Sequence, residues 1–216
     1  MLLLTRFLST IIPAIAVGGL TLSSFASAYG QSHALINSSR SSSMGNMFVS
    51  QAIEGEYGNY AKVAAGAEPA DASSRVWKGY GIRNSFGLEV IKFTQFSISH
   101  TFLSMRSKAD SLENVHGSRV TAEMRLVFSS PVGNMEAGGG FSGSRLDYQR
   151  QLDNADLLGS GYFYTLGLNY FISSRVSFFG TGRLYRENLV RSGGNAEIES
   201  IRTDTSNLGV GFNIWL

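Results

Sequence analysis

The chain of 216 residues has no cysteine, 3 prolines, 2 tryptophans and 3 histidines. Without thiols it can form neither a disulfide framework nor a thiolate metal site, and their absence fits an oxidising compartment where a stray thiol is a hazard. Charge is sparse as well: 16% of residues are Asp, Glu, Lys or Arg and the formal net charge is +2. That balance lacks the basic excess that nucleic-acid binding requires, so no nucleic acid is expected as a partner. No metal and no cofactor are expected either. Beyond Leu22 no apolar stretch approaches the ~20 residues that a spanning helix needs.

What is present does not read as a disordered chain. Hydrophobic residues make up 43% and aromatics 12%, with 25 glycines, while mean hydropathy is +0.01. An average that cancels in so apolar a composition points to alternation along strands rather than to polar segments. The last nine residues show it most clearly, with Leu208, Val210, Phe212, Ile214 and Leu216 on one face and Gly209, Gly211 and Asn213 on the other. An exposed apolar strand face invites aggregation unless something covers it. A closed barrel in lipid covers it, with acyl chains against the apolar face and the last strand paired to the first.

The other end of the sequence carries an export pattern. Arg6 precedes an apolar stretch from Phe7 to Leu22, interrupted by Pro13, Gly18 and Gly19, and small residues follow to Ala26-Ser27-Ala28. This predicts a secretory signal over residues 1–28, cleaved after Ala28. Residues 29–46, which include the run from Ser38 to Ser43, are too polar to pack and are expected to hang in the periplasm.

Residues 47–216 are expected to form the barrel. Eight segments approach the ~9 to 11 residues of a tilted spanning strand: Met47–Gly58, Arg75–Arg83, Leu88–Ser104, Ser118–Ser129, Asn134–Gln149, Gly161–Ile172, Val176–Arg191 and Thr203–Leu216. Tight turns are predicted at Asn84-Ser85, around Pro131 and Gly133, and at Ser173 to Arg175. Longer polar connections alternate with them at Tyr60–Ser74, Arg106–Gly117, Leu152–Ser160 and Ser192–Ile198. Both termini then fall on the short-turn side. Phe93 and Phe96 stand in opposite phases, so a bulge is expected near Thr94 and Gln95.

Facing follows from charge. Arg119, Glu123 and Arg125 share one phase of the fourth strand, opposite Val120, Ala122, Met124, Leu126 and Phe128. An Arg facing lipid at mid-bilayer costs ~2 to 4 kcal/mol, so the charged phase must point inward. The same logic places Glu54, Glu56, Glu136, Arg183 and Lys92 inside. Eight strands enclose a space that side chains fill, and unpaired charges there are expensive. A lumen ion-pair network of Glu54, Glu56, Glu123, Glu136, Arg119, Arg125 and Arg183 is therefore expected, as a packed plug rather than a gate. Tyr162, Tyr170 and Trp215 are expected as interfacial aromatics.

The export signal, the eight alternating strands and the closing Gly209-Val210-Gly211-Phe212-Asn213-Ile214-Trp215-Leu216 resemble the small OmpA-type and OmpX-type outer-membrane β-barrels of Gram-negative bacteria. The resemblance covers Met47 to Leu216 and does not extend to the OmpA peptidoglycan-binding domain. It implies an all-β, closed, eight-stranded antiparallel up-and-down barrel, monomeric in the outer membrane. It also implies contact with outer-membrane lipids and lipopolysaccharide. Gly209, Phe212, Ile214 and Leu216 resemble the signal read by the barrel-assembly machinery, although Leu216 stands where such proteins usually end in an aromatic.

Such barrels host several activities on one scaffold. Envelope integrity or surface interaction, as adhesion or host contact through exposed loops, is the favoured reading. The alternatives are a lipid-A-modifying enzyme and a narrow channel or carrier. Barrels that deacylate lipid A carry His-x-Ser, whereas His100 is followed at that spacing by Phe102. His116, beside Glu113, could pair with Asp147, Asp153 or Asp156 as in barrel proteases, but a solvated loop explains those residues equally well. His33 lies ahead of the barrel. No catalytic residue is assigned.

Overall fold

A computed structural model describes residues 47–63, 73–91, 93–129, 133–173, 175–195 and 198–216. The predicted signal and Ser-rich segment, and Lys92, lie outside them. Eight strands follow one another: β1 (Met47–Val63), β2 (Ser73–Ile91), β3 (Thr94–Ser107), β4 (Glu113–Ser129), β5 (Gly133–Arg150), β6 (Asp153–Phe171), β7 (Val176–Gly194) and β8 (Ser200–Trp215). Each pairs antiparallel with its neighbour, and β1 pairs with β8 from Phe48↔Trp215 to Val63↔Ser200, which closes the barrel. Closure leaves no strand edge.

Strand lengths of 14 to 19 residues exceed the ~9 to 11 that cross a bilayer, and the surplus lies at the end away from the termini. There the hydropathy of the two faces inverts while the facing stays the same. Low on β5, Glu136 and Ser142 point in while Met135 and Phe141 point out; higher up, Leu146 and Tyr148 point in while Arg145, Asp147 and Gln149 point out. On β3 Leu103 and Met105 point in against exposed Arg106, and on β4 Val115 points in against exposed His116. Below the inversion the outer wall suits lipid, and above it the wall suits water. The outer wall therefore carries an apolar belt that ends at the inversion.

Three features differ from the sequence expectation. The predicted turn at Asn84-Ser85 is the middle of β2, where Asn84 pairs with Gln51 on one side and His100 on the other. The chain reverses instead between Ile91 and Thr94, which accounts for the phase change between Phe93 and Phe96 without a bulge at Thr94 and Gln95. The ladder irregularity falls between Glu89 and Ile91. Second, the expected Leu152–Ser160 connection is strand, because outward Asn154 and Asp156 alternate with buried Ala155 and Leu157. β5 and β6 meet at a tight turn of Gln151 and Leu152, with Gln151 at φ 52°. Third, the connections expected at Arg106–Gly117 and Ser192–Ile198 shrink to residues 108–112 and 195–199.

β5 also carries the run Gly138, Gly139 and Gly140, where it presses against β4. A Cβ at Gly140 would lie 1.9 Å from the carbonyl oxygen of Ala122. Only glycine permits that approach.

Candidate functional site

The interior holds three layers. At mid-height five carboxylates, of Glu54, Glu56, Glu123, Glu136 and Glu187, meet four guanidiniums, of Arg83, Arg119, Arg125 and Arg183, all buried. Arg119 is a hub. It donates to Glu56 Oε2 and Oε1 at 2.9 and 3.1 Å, and to Glu187 Oε1 and Oε2 at 3.1 and 2.8 Å. Its guanidinium lies 4.1 Å from the centre of the Tyr185 ring. Ser142 and Ser144 both donate to Glu187 Oε1, at 2.7 and 2.8 Å, so Oε2 of that carboxylate is held by Arg119.

A second group lies nearer the termini. Arg183 bridges Glu54 at 3.0 Å and Glu123 at 2.7 Å, and Arg125 joins Glu123 to Glu136 at 2.7 Å each. Arg83 reaches Glu54 at 3.1 Å, and Asn207 donates to the other Glu54 oxygen at 3.1 Å. Gly209 makes this possible, since a Cβ there would come within 3.0 Å of the Glu54 side chain. The seven residues expected in the network, Glu54, Glu56, Glu123, Glu136, Arg119, Arg125 and Arg183, are all brought together. Arg83 and Glu187 complete it. The turn predicted at Asn84-Ser85 conceals Arg83, whereas Glu187 shares the phase of Arg183, the signal by which it could have been found.

Above the network the lumen is apolar rather than polar throughout. Tyr60, Trp77, Leu103, Met105, Val115, Leu146, Leu157 and Leu189 belong to one buried cluster. The Tyr60 hydroxyl is within 2.9 Å of Met105 Sδ and 3.3 Å of Glu56 Oε1, which joins this layer to the ion pairs. At the rim, above the apolar belt of the outer wall, Glu113 is fully buried and takes Lys62, the Tyr148 hydroxyl at 2.9 Å and Arg75 at 3.0 Å. Burial pushes the Glu113 carboxyl up, but the hydrogen bonds from Lys62 and Tyr148 and the nearby cations outweigh it and hold it below the usual range. Burial pulls the Lys62 ammonium down, partly offset by Glu113. Lys62 Nζ also sits 4.5 Å from the centre of the Tyr148 ring.

The lowest layer corrects one expectation. Trp215 points inward, 5% exposed, with Nε1–H donating to Ser177 Oγ at 3.0 Å and Phe48 and Phe171 packed against it. An indole N–H needs a partner when buried, and Ser177 supplies one where lipid would not. Tyr162 faces outward as expected, Tyr170 is half-buried on the same phase, and Phe212, Ile214 and Leu216 are exposed on the outer wall.

Among the described residues, His100 and His116 gather no catalytic set. Phe102 stands edge-on to His100, ring centres 4.5 Å apart. His116 lies on β4, not in a loop, with Asp147 opposite it and Asp156 opposite Asp147, all exposed on the outer wall. Among the described residues no group of three or more His, Asp or Glu could hold a metal ion.

No family model and no curated protein matches the sequence. Solved structures do match in shape. Neisserial surface protein A is 15% identical, with 77% of this chain and 96% of that one covered and a TM-score of 0.53. Outer membrane protein OprG from Pseudomonas aeruginosa is 10% identical over 80% and 96% of the two chains, TM-score 0.53. Outer membrane protein AlkL, solved in lipid bilayers, is 13% identical over 80% and 90%, TM-score 0.51. Identities this low speak for the fold alone, and on that ground the chain has the fold of the small eight-stranded outer-membrane β-barrels of the OmpA and OmpX type.

Proposed function

We propose that this protein is a non-enzymatic surface barrel of a Gram-negative outer membrane, which holds a sealed, rigid β-wall above the bilayer for contact with molecules or cells outside. The observation that carries this reading is the three-layer interior beneath strands longer than a membrane requires. Buried ion pairs joined to an apolar layer above and an aromatic layer below hold the barrel in one register, and they occupy the path that a solute would take. The projecting part is stiffened by a core of its own, including Trp77 and Leu146. At its tip Leu152 is 90% exposed on a two-residue turn. An exposed apolar side chain on a rigid hairpin suits protein contact, because little conformational entropy is lost on binding. Export through the signal, insertion through Gly209, Phe212, Ile214 and Leu216 by the barrel-assembly machinery, and a bilayer of lipid and lipopolysaccharide belong to the same reading.

Two measurements test it. The chain has no cysteine, so Leu152→Cys can be probed on intact cells with a membrane-impermeant maleimide, beside Arg175→Cys at the opposite end. Labelling of the first alone is expected. Labelling of Arg175→Cys alone would invert the orientation and end the proposal. Reconstituted in planar bilayers, the protein should show no conductance steps; reproducible steps would establish a channel instead.

A further inference from the structure

At mid-height the interior charges do not balance. Among the described residues five buried carboxylates meet four buried guanidiniums, and the cations of the rim, Lys62 and Arg75, lie beyond the apolar layer on Glu113. A buried charge without a counter-charge is costly. This layer therefore lacks one positive charge.

The oxygen left over can be located. Glu123 is 3% exposed; its Oε2 takes Arg125 and Arg183 at 2.7 Å each, whereas its Oε1 has no hydrogen-bond partner. Ser97 stands opposite Glu123 in the ladder and Ser99 opposite Thr121, so the four form a two-by-two block on the inner wall of β3 and β4. Cβ atoms across such pairs are roughly 4.5 to 5.5 Å apart. The hydroxyls of Ser97, Ser99 and Thr121 are likewise buried without partners, a state that buried polar groups rarely keep. The deficit is one-sided. Along β3 every inward side chain from Gln95 to Thr101 carries such an atom, while on β7, across the barrel, Ser177, Thr181 and Glu187 all have partners. Leu103 and Met105 of the apolar layer close this polar column above. At its lower end Gln95 pairs with half-buried Glu89, toward the termini. A carboxylate at that mouth favours cations over anions.

We infer that Glu123 Oε1 and the hydroxyls of Ser97, Ser99 and Thr121 hold one monovalent alkali cation in the wall of the lumen, reached through water along β3 from the end that carries the termini. All four donors are hard oxygens. A proton would need Oε1 and a hydroxyl within roughly 2.5 to 3.0 Å of each other, and they make no such bond. A cation of calcium's size bonds oxygen at about 2.3 to 2.6 Å on each side, and so joins oxygens that do not touch. Sodium has that size. Calcium itself would bring two charges where one is lacking, and the surplus would be as costly as the deficit. One carboxylate and three hydroxyls on two strands carry no sequence motif, so the expectation of no metal gives way here. The site is blind and conducts nothing, and it is independent of the surface contact proposed above.

The test is urea unfolding of protein refolded into vesicles in sodium chloride, potassium chloride or N-methyl-D-glucamine chloride at one ionic strength, the organic cation being too large to enter. Sodium or potassium should raise the urea midpoint, and at concentrations above its dissociation constant a tenfold rise in the bound ion should raise the folding constant about tenfold. Whichever ion acts more strongly gives the size of the site. Ser97→Ala combined with Thr121→Val keeps every ion pair and should lose most of the response. Glu123→Gln, which also balances the charges, should lose all of it. Equal midpoints in the three salts, or an undiminished response in the Ser97→Ala, Thr121→Val protein, overturn the site. So does an infrared carbonyl band of a protonated carboxyl, present in the folded parent at neutral pH and absent from Glu123→Gln, because it puts a proton in place of the cation. The heat-modifiable gel shift, scored on the same samples, separates a lost response from a lost barrel.

Discussion

Replacing Arg119 by Met tests whether the lumen is held by charge pairing or merely tolerates it. Met fills much of the same volume and keeps the apolar stem, so the change is chiefly electrostatic. It removes four charge-assisted hydrogen bonds and the cation above Tyr185. Glu187 keeps Ser142 and Ser144, and Glu56 keeps the more distant Tyr60 hydroxyl. Two buried carboxylates then face each other without a cation between them, and breaking a buried pair in this way costs ~3 to 5 kcal/mol. At 1.4 kcal/mol per decade that is roughly two to three and a half decades in the folding equilibrium, a large share of the ~5 to 15 kcal/mol that a domain possesses. The assay is urea unfolding in lipid vesicles, followed by the gel shift and by fluorescence of Trp77 and Trp215, both buried inside the barrel. Arg119→Met combined with Glu56→Gln and Glu187→Gln is expected to return to within about 1 kcal/mol of the parent or exceed it, since neutralising a whole buried cluster is far milder than stranding part of it. Arg186→Ala, which breaks an exposed pair with Asp204 at 2.7 Å, should cost at most about 1 kcal/mol. The reasoning is refuted if Arg119→Met alone falls within about 1 kcal/mol of the parent, or if the triple variant is as damaged as the single one.

Gly140→Ala and Gly143→Ala form a matched pair on β5. The first sets a Cβ against the Ala122 carbonyl and should cost ~1 to 3 kcal/mol through displaced backbone, while the second meets nothing within 4 Å and should leave the urea midpoint unchanged. Trp77→Ala, in the apolar layer, should cost ~3 to 5 kcal/mol; a loss well under about 1 kcal/mol in the same unfolding assay would show that the projecting part has no core of its own. The rim supplies a pH dependence. Glu113 has a folded pKa below the ordinary value of 4.5, so its contribution is complete above that value and disappears as pH falls through the lower, folded one. Urea midpoints measured from about pH 7 downward should fall more steeply in the parent than in Glu113→Gln, and parallel curves would remove Glu113 from the account.

How far the sequence can be read depends on the solvent outside the wall. Along the apolar belt, polar-in and apolar-out alternation marks β4 and β8 so clearly that Arg119, Glu123, Arg125 and the outward row from Leu208 to Leu216 can be placed without a structure. The same rule fails above that belt. Trp77, Leu146, Tyr148 and Leu157 point inward there beneath exposed Lys78, Asp147 and Asp156, so polar residues at every second position look like loop. The outer ends of β5, β6 and β7 are accordingly hard to see in the sequence. Asn84-Ser85 misleads for a different reason. Its composition is that of a turn, and only the pairing of Asn84 with two neighbouring strands overrides that local preference. Trp215 needs only strict application of the alternation already visible along β8, where Ile214 faces out and its successor must face in.

The inversion also decides where specificity can reside. Loops on a rigid scaffold usually carry recognition because they vary freely, yet three connections at the outer end are confined to residues 108–112, 151–152 and 195–199. Among the described residues, exposed chemistry at this end lies on strand walls, in the row His116, Asp147 and Asp156 and in the hairpin that ends at Leu152. Walls held by a buried core cannot rearrange around a partner without disturbing Leu146 or Leu157 beneath them. For the surface contact proposed above, recognition must come from a preformed pattern of side chains. A partner that fits loses little entropy on binding, and one that does not fit cannot be accommodated by loop movement. Exchanging wall residues such as Asp147 or Asp156 should therefore alter partner choice while leaving the fold intact, whereas lengthening the Gln151-Leu152 turn should blunt recognition by freeing the tip.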